Sequence, residues 1–392
     1  MNKLKSRRKF VKKGVILGLG LPILGSSLLS FDSKNEQELL TEEVKSKKLR
    51  ILILGGTSFL GPHQIAYAIS RGHSVSIFTR GKTKPTIYKD LYKNVEHLIG
   101  DRENDLTALE KGKWDVVIDN SGRKVNWTKK TAELLKDKAD VYLYTSSTGV
   151  YYPYLESDIN EEATVILQEP KGIKDEETKI EYWYGVMKAN SELETIKAFG
   201  KDRSIIVRPT YMMGPADKTD RFIYWPIRLS RGGEVLVPGK NNDPVQYIDV
   251  RDVAEWMIRL AEKKLAGTYN AVGPEKSQTM NGFIDNAKNA FEIESTFIHI
   301  DNYKFLKENR VPYLIPWIMP EGNNYGSARI NNEKAIKHGL TYRTLKVSIM
   351  DTYQWWISDS LTDERRNKFE RKPDSILLRE KSIIEKWKKL KK

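Results

Sequence analysis

The feature that most constrains the fold is an apolar run that ends at a pair of glycines and continues into a helical stretch. Residues 49–54 form the run, 55–61 a glycine-containing turn, and 63–71 the helical stretch. A short, almost continuous apolar run is typical of a strand buried in a parallel sheet. The glycines let a ligand approach the backbone, and the unpaired N–H groups of the following helix attract phosphate oxygens. This order of strand, turn and helix predicts a dinucleotide-binding unit.

Further strands follow at intervals that leave room for helices between them. Short runs rich in aliphatic, β-branched and aromatic residues occupy 74–78, 116–119, 141–147, 204–209 and 267–270. Strands that alternate with helical segments are expected to form parallel βαβ units. The sequence therefore predicts an α/β fold, a doubly wound parallel sheet that begins near residue 49.

A tyrosine and a lysine four residues apart are the main catalytic candidates. Tyr184 and Lys188 would lie on one face of a helix, and Ser147 ends the strand predicted at 141–147. A free tyrosine titrates at about pH 10, too high for a base at neutral pH. A neighbouring ammonium group stabilises the phenolate, so the pair can exchange a proton with a substrate hydroxyl or carbonyl.

These motifs, in this order and spacing, resemble the extended short-chain dehydrogenase/reductase family of the NAD-dependent epimerase/dehydratase type. The resemblance rests on the glycine turn, Ser146-Ser147, Val150-Tyr151, the YxxxK of Tyr184 and Lys188, Glu192, and an RPxxxxGP loop at 208–215. It covers residues 49–275 well, with one departure, because Ser58 stands where the family usually has its middle glycine. It implies a Rossmann-type sheet with a smaller, mostly helical C-terminal substrate lobe.

The resemblance also implies roles for single residues. Tyr184 would be the acid/base, Lys188 would hold the nicotinamide ribose, and Ser147 would bind the substrate oxygen. The implied cofactor contacts are Gly55, Thr57, Ser58, Phe59, Leu60, Gly61, Thr79, Arg80, Asp101, Arg102, Ser121, Gly122, Tyr184, Lys188 and Pro209. NAD enzymes commonly place an acid at the end of the second strand, but Thr79-Arg80 stands here, and an arginine can pair with a 2′-phosphate. NADP is therefore favoured, with NAD as the alternative.

Four parts are expected along the chain. Residues 1–30 form a signal segment, 31–48 a linker, 49–275 the dinucleotide-binding domain, and 276–392 a C-terminal substrate lobe with a helical tail. A substrate-lobe insertion is expected at about 211–245. Candidate substrate-binding residues are Arg221, Tyr224, Arg251 and Arg329, each of which could equally be a surface charge or a core residue.

The N-terminal residues resemble a twin-arginine export signal. Residues 6–12, SRRKFVK, precede a weakly hydrophobic, glycine-rich stretch at 14–30, which is shorter than the ~20 apolar residues of a transmembrane helix. The resemblance implies the twin-arginine machinery as a partner and an exported, periplasmic protein. An uncleaved membrane anchor is the alternative.

Positive charge is concentrated at the two ends of the chain. The formal net charge is +14, but the first 13 residues carry seven basic and no acidic side chains, and residues 363–392 have a surplus of six. The remaining body is almost neutral, which argues against a nucleic-acid partner; the basic tail is expected to be a solvated helical face. The chain has no cysteine and its five histidines have no HxxxH or HExxH spacing, so no metal site is expected.

The leading functional hypothesis is a redox-neutral epimerase or dehydratase that acts on a sugar or sugar-derived hydroxyl. An exported protein has no dependable supply of reduced nicotinamide cofactor, which favours a cofactor held through the whole cycle. One alternative is an ordinary NADP-dependent dehydrogenase. Another is a non-catalytic binding protein related to chloroplast stem-loop RNA-binding proteins, which resemble this chain about as closely as the sugar epimerases do. A homodimer, through the two-helix contacts usual in the family, is a further expectation.

Overall fold

The computed structural model describes residues 47–120, 122–311 and 313–391. The signal segment expected at 1–30 lies outside these ranges, as does all but the end of the linker expected at 31–48. Within the described ranges, no helix combines the length and the apolar character needed to cross a lipid bilayer.

Strands and helices alternate from the start of the described chain. In chain order the elements are β1 (Arg50–Leu54), α1 (Leu60–Ser70), β2 (Ser74–Thr79), β3 (Glu96–Ile99), β4 (Trp114–Asp119), α2 (Val125–Leu135), β5 (Ala139–Thr145), α3 (Glu176–Phe199), β6 (Ser204–Pro209), β7 (Met212–Met213), α4 (Tyr224–Leu229), β8 (Gly233–Pro238), β9 (Pro244–Val245), β10 (Ile248–Asp249), α5 (Val250–Glu262) and β11 (Gly267–Ala271).

Seven of these strands form one parallel sheet in the order β3-β2-β1-β4-β5-β6-β11. Ile51 and Ile53 pack on the face covered by α1 and α5, whereas Leu52 and Leu54 pack on the opposite face, with α2. The doubly wound parallel sheet predicted from the sequence is therefore confirmed. The strand order reverses between β1 and β4, and ligands of open parallel sheets bind beside the carboxyl ends of the strands at such a point.

The first helix begins earlier than predicted. α1 starts at Leu60 rather than at His63, so Gly61 and Pro62 lie in its first turn. Glycine and proline disfavour a helix interior, but a first-turn N–H has no intrahelical partner, so a proline there forfeits no hydrogen bond. The sequence pattern underestimated the helix because it weighed these two residues as interior ones.

The C-terminal part is mostly helical, as expected, and also contains two strands that were not predicted. Its elements are β12 (Gln278–Thr279), α6 (Met280–Ala287), β13 (Ser295–Ile300), α7 (Tyr303–Glu308), α8 (Glu333–Lys337), α9 (Leu345–Ile357), α10 (Asp363–Glu370) and α11 (Ile376–Leu390). β13 pairs in parallel with β8, which comes from the insertion expected at about 211–245.

The basic tail is not a purely solvated helix. Ile383 and Trp387 of α11 are buried in the same apolar cluster as Trp225, Phe283 and Trp317. The lysines of α11 are exposed on its other face. The tail therefore closes the core of the lobe with one face and carries its positive charge on the other.

Candidate active site

The glycine turn after β1 lies close to the first turn of α1, with no side chain between them, as dinucleotide binding requires. Gly55 and Gly56 have φ values of 104° and 101°, in the region that favours glycine. A Cβ atom on Gly61 would lie 2.4 Å from the Cα atom of Gly56, so only glycine lets α1 begin this near the turn. Ser58, in the place of the family's middle glycine, is exposed at the turn.

Gly61→Ala should lower the free energy of unfolding by about 1–3 kcal/mol, the usual cost of overpacking. It should also weaken dinucleotide binding, because the new methyl group would push α1 away from Gly56. The matched control is Gly282→Ala in α6, where the nearest neighbour of a new Cβ is the flexible Gln278 side chain at 3.3 Å. Urea unfolding and titration with NADP and NAD measure both effects, and equal losses in the two variants would contradict the prediction.

A groove of about 430 Å³ opens beside this turn, at the carboxyl ends of β1, β2 and β3. The predicted cofactor residues that line it are Gly55, Thr57, Ser58, Thr79, Arg80, Asp101 and Arg102. Lys82, Arg123, Trp127 and Lys218 also line it and were not predicted. Because Arg80, Lys82, Arg123 and Lys218 are all cationic, the groove suits a ligand with several phosphate groups.

Arg102 lines the groove, as the cofactor prediction requires, but its guanidinium is engaged inside the protein. Its guanidinium is 6% exposed and donates hydrogen bonds to Asp119 Oδ2 and to Thr131 Oγ1, both at 2.7 Å. Asp119 is fully buried at the end of β4, and a buried carboxylate requires a cation and hydrogen bonds. Arg102 therefore neutralises Asp119, and its role toward a cofactor stays a prediction.

Two other predicted cofactor residues serve the packing. An added Cβ on Gly122 would lie 2.8 Å from the Tyr144 ring, so this glycine is required by the close contact with β5. The Leu60 side chain is 5% exposed and packs in the core, so it cannot contact a cofactor. Leu60 is the first residue of α1, and only its backbone N–H could bind a ligand. Ser121 lies outside the described residues.

Tyr184 and Lys188 lie on α3, as predicted. This helix passes very close to the turn after β5, because a Cβ on Gly185 would lie 2.5 Å from the Gly149 carbonyl oxygen. The Tyr184 ring in turn packs on Gly149, where an added Cβ would be 2.9 Å from it. Ser147 Oγ accepts a hydrogen bond from Gly149 N at 3.0 Å. The two glycines therefore bring Tyr184 and Ser147 to one cavity.

Lys188 is a buried cation behind the tyrosine. Its Nζ donates to the Thr145 carbonyl at 2.9 Å and lies 5.0 Å from the centre of the Tyr144 ring. Burial alone lowers the pKa of Lys188, but Tyr144, Tyr184 and Asp119 outweigh it, so the pKa lies above its ordinary value. The ammonium group therefore stays charged at neutral pH and favours the phenolate form of a nearby tyrosine.

The cavity around Tyr184 measures about 360 Å³. Phe59, Ser147, Pro209 and Arg221 are the other predicted residues that line it. The cavity adjoins the groove at two places, where neighbouring residues of the chain line one and then the other. Ser58 lines the groove and Phe59 the cavity, and Lys218 lines the groove and Thr219 the cavity. Glu181, one helical turn before Tyr184, also lines the cavity and was not predicted; burial raises its pKa.

Of the four candidate substrate residues, only Arg221 lines this cavity. Its guanidinium lies 5.0 Å from the centre of the Tyr211 ring, which lines the cavity as well. Tyr224 does not line the Tyr184 cavity: this side chain is 1% exposed and its hydroxyl donates to Glu380 Oε1 at 2.7 Å. Tyr224 belongs to the core of the lobe.

Arg251 and Arg329 are likewise not brought to the Tyr184 cavity. Arg251 forms ion pairs with Asp249, at 2.7 Å, and with Asp351. These pairs tie the start of α5 to α9, which is a structural role. Arg329 lies over the ring of Tyr325, 4.2 Å from its centre, and donates to the carbonyl oxygen of the same residue.

A buried polar network joins the strand ends below the cavity. Arg208 donates to Glu192 Oε2 at 2.7 Å and to the Tyr151 hydroxyl at 2.8 Å, and that hydroxyl donates to Asn270 Oδ1 at 2.7 Å. The Ser146 hydroxyl donates to the same Glu192 carboxylate. Tyr151 and Glu192, which the sequence marked through the family pattern, therefore hold the β5, β6 and β11 ends together.

His63 connects the first turn of α1 to the loop after β7. Its Nε2 lies 3.0 Å from the Pro215 carbonyl oxygen. Burial lowers the pKa of His63 to about 4, against smaller opposing effects of Pro215 and Asp249. A folded-state pKa below the unfolded value means that the unfolded chain takes up the proton first as the pH falls.

This residue should make the protein less stable in acid. Stability should fall as the pH drops from about 6.5 to about 4, by up to about 3 kcal/mol, and His63→Gln should remove this loss. Asp252, whose pKa burial raises to about 6, acts in the opposite direction but is unchanged in both proteins. Urea unfolding of wild type and variant at about pH 7 and about pH 4.5 gives the difference, and parallel pH profiles would exclude His63 as its source.

Comparison with known proteins agrees with this geometry. The model of the NAD dependent epimerase/dehydratase family matches residues 51–272. The chloroplast stem-loop binding protein of 41 kDa b from Arabidopsis thaliana is 29% identical over 251 residues, which cover 60% of this chain and 62% of that protein. The match thus spans about three fifths of the relative's length.

Solved structures share the fold. A putative epimerase from Burkholderia cenocepacia superposes with a TM-score of 0.58 at 16% identity, over 82% of this chain and 99% of that one. UDP-glucuronic acid 4-epimerase from Bacillus cereus, in complex with NAD, has a TM-score of 0.52 at 16% identity, over 78% and 98%. With the family model matching more than half of its residues, the chain belongs to the NAD dependent epimerase/dehydratase family, a family of NAD-dependent enzymes.

Proposed function

We propose that the protein is an epimerase- or dehydratase-type enzyme that acts on a sugar or sugar-derived hydroxyl by transient hydride transfer. The observation that carries the proposal is the position of Tyr184 beside Ser147, in a cavity that adjoins the groove at the glycine turn. Such a cycle needs an acid/base and a hydride acceptor at the same carbon, and this arrangement provides room for both.

The residues present fit a nicotinamide dinucleotide. The approach of Gly61 to Gly56 leaves no side chain between the turn and the start of α1, where phosphate groups bind. Thr210 Oγ1, in the wall of the Tyr184 cavity, is buried and has no hydrogen-bond partner among the described residues. A bound ligand would satisfy it. When bound, the dinucleotide supplies the hydride acceptor and donor.

The chain's own groups handle the proton and the orientation of the substrate. Tyr184 takes the proton of the substrate hydroxyl and returns it to the carbonyl oxygen later in the cycle. Lys188, buried and charged, stabilises the phenolate between these two transfers. Because Ser147 Oγ already accepts from Gly149 N, its O–H is free to donate to the substrate oxygen.

Mass spectrometry of the denatured purified protein tests the redox-neutral cycle. A cofactor held through the cycle should be released in an amount close to one dinucleotide per chain. An empty protein that oxidises alcohols with added NADP would instead support an ordinary dehydrogenase, the alternative within the same fold. Failure to bind either dinucleotide would remove the enzymatic proposal.

We favour NADP over NAD, because four cationic side chains line the groove besides Arg102, which is paired with Asp119, and β2 ends at Thr79 without an acid. Arg80→Ala should therefore weaken NADP binding by about tenfold, the loss of one charge-assisted pair, and leave NAD binding almost unchanged. Lys84→Ala, an exposed lysine that does not line the groove, is the matched control. Isothermal titration of the cofactor-free protein measures both, and an equal loss for NAD and NADP would contradict the preference.

Export of the folded protein is a further part of the proposal. Its support is the resemblance of residues 6–12 to a twin-arginine motif. That route carries folded proteins, so a cofactor acquired in the cytoplasm would travel with the enzyme. Cell fractionation that finds the protein only in the cytoplasm would oppose this part and leave the chemistry intact.

A binding function is the second candidate, because the curated relative is a stem-loop binding protein. The almost neutral body gives little support to a nucleic-acid surface. Binding to stem-loop RNA at about 0.15 M salt, with no change on Tyr184→Phe, would favour this function over the enzymatic one.

A further inference from the structure

Glu181 is the one carboxylate among the described residues that line the Tyr184 cavity. It lies on α3, three residues before Tyr184, and residues three apart on a helix are neighbours, with Cβ atoms about 5–6 Å apart. Glu181, Tyr184 and Lys188 therefore share one face of the helix. Tyr184 and Lys188 account for the proton of the substrate hydroxyl, which leaves Glu181 without a task in that transfer.

The Glu181 carboxylate has no partner that would give it a structural role. It forms neither a hydrogen bond nor an ion pair within the part of the chain that the structure describes. Arg221, the cation in the same cavity, lies over the Tyr211 ring and donates to Thr219 Oγ1 at 3.2 Å. A half-buried carboxylate without a partner costs free energy in the folded protein. Such a group in a catalytic cavity points to a functional role.

The surroundings of Glu181 suit proton transfer. Burial raises the pKa of Glu181 above its ordinary value, and the Glu177 carboxylate raises it further, against a smaller opposing effect of Arg221. A carboxylate with a raised pKa accepts a proton more readily near neutral pH. Because Tyr184 already serves the substrate hydroxyl, a second base in the same cavity would act at another atom of the substrate.

Oxidation of a sugar hydroxyl creates a second acidic proton. A hydrogen on the carbon next to the new carbonyl group can leave as a proton, because the electron pair left behind spreads onto the carbonyl oxygen, and a glutamate is a suitable base for it. We propose that Glu181 is a second base, which takes this carbon-bound proton from the ketone intermediate. The inference rests on the proposed function, in which hydride transfer to a nicotinamide dinucleotide produces the ketone.

This step leads to elimination. The C–H bond breaks, its electron pair forms the C=C bond of an enolate, and the carbonyl π pair moves to oxygen. When the carbonyl re-forms, the C=C bond shifts by one carbon and expels an oxygen substituent from the next carbon. The departing oxygen takes the proton from the Glu181 carboxyl group and leaves as water or an alcohol. Hydride and the Tyr184 proton return to the unsaturated product, so the cycle is redox-neutral.

Ketones supplied ready-made test Glu181 without the hydride step. The probes are 1,5-anhydrofructose and methyl 3-dehydroglucoside, and exchange of their carbon-bound hydrogens is followed by proton NMR in heavy water with the protein as purified. We expect wild type to accelerate exchange of at least one probe saturably. Glu181→Gln should lower the saturating rate by about 10²-fold or more, the lower end of what a general base supplies. Glu177→Gln, exposed on the same face of α3 and not lining the cavity, is the matched control and should change the rate by less than about threefold.

Three results would overturn the inference: no acceleration of either probe by wild type, equal losses in the two variants, or a Glu181→Gln variant in which only the half-saturating concentration changes. The last result would make Glu181 a substrate-binding residue. Thermal unfolding should give Glu181→Gln a Tm equal to or above that of wild type, because no partner is lost, so a slower exchange would not reflect unfolding. Dinucleotide release, measured separately, reports on the proposed function alone, so the two can fail independently.

Discussion

Replacing Tyr184 with phenylalanine is expected to lower kcat by about 10²–10⁴-fold, the range that a general acid/base supplies. The ring remains to pack on Gly149, so the fold and the bound dinucleotide should be preserved. The change in kcat is measured as the rate at which a sugar substrate is converted. Near-ultraviolet absorbance, which reports transient reduction of the retained cofactor, is the second readout.

The control for this variant is Tyr182→Phe on the same helix. The Tyr182 ring packs against Tyr152, 4.9 Å between ring centres, and does not line the Tyr184 cavity. Its kcat should stay within about twofold of wild type. Full activity of Tyr184→Phe, or an equal loss in both variants, would rule out Tyr184 as the acid/base.

Replacing Glu192 with alanine is expected to destabilise the protein by about 3–5 kcal/mol, the cost of leaving one partner of a buried ion pair uncompensated. Glu192 is 4% exposed and holds Arg208 through two hydrogen bonds, at 2.7 and 3.0 Å. Without it, a guanidinium charge that is 6% exposed would have no carboxylate opposite it. Urea unfolding gives the free-energy difference.

Glu194→Ala is the matched control for the Glu192 variant. Glu194 lies two residues further along α3, half-buried, and forms no ion pair within the described residues. Its loss should change the free energy of unfolding by less than about 0.5 kcal/mol. A similar small change for Glu192→Ala would mean that Arg208 finds solvent or another partner, and that the network is not a stabilising element.

The sheet was predictable because its signals are local. The apolar run of β1 and the glycines after it lie within a dozen residues, and so does the YxxxK spacing of α3. β13 carried no comparable signal, since Ser295–Ile300 forms a strand only by pairing with β8, about sixty positions earlier. Its stability comes from a long-range partner that no local window contains.

The contrast between local signals and long-range partners also explains which site residues could be predicted. Tyr184 and Ser147 meet because two glycines allow α3 to approach the turn after β5, and the family pattern already relates them. Arg251 was misjudged because one of its partners, Asp351, is 100 positions away. A charged side chain looks the same in a sequence whether it faces a ligand or a carboxylate, so Arg102 and Arg251 could not be told from Arg221.

The short segment at 218–221 lines both the groove at the glycine turn and the Tyr184 cavity. Lys218 lines the groove, whereas Thr219 and Arg221 line the Tyr184 cavity. A ligand that fixes this segment from one opening lowers the entropy cost of binding at the other, and thermodynamic linkage makes that influence mutual. A dinucleotide bound in the groove should therefore change the affinity of the Tyr184 cavity for its own ligand, through Lys218 and Thr219, which are neighbours in the chain.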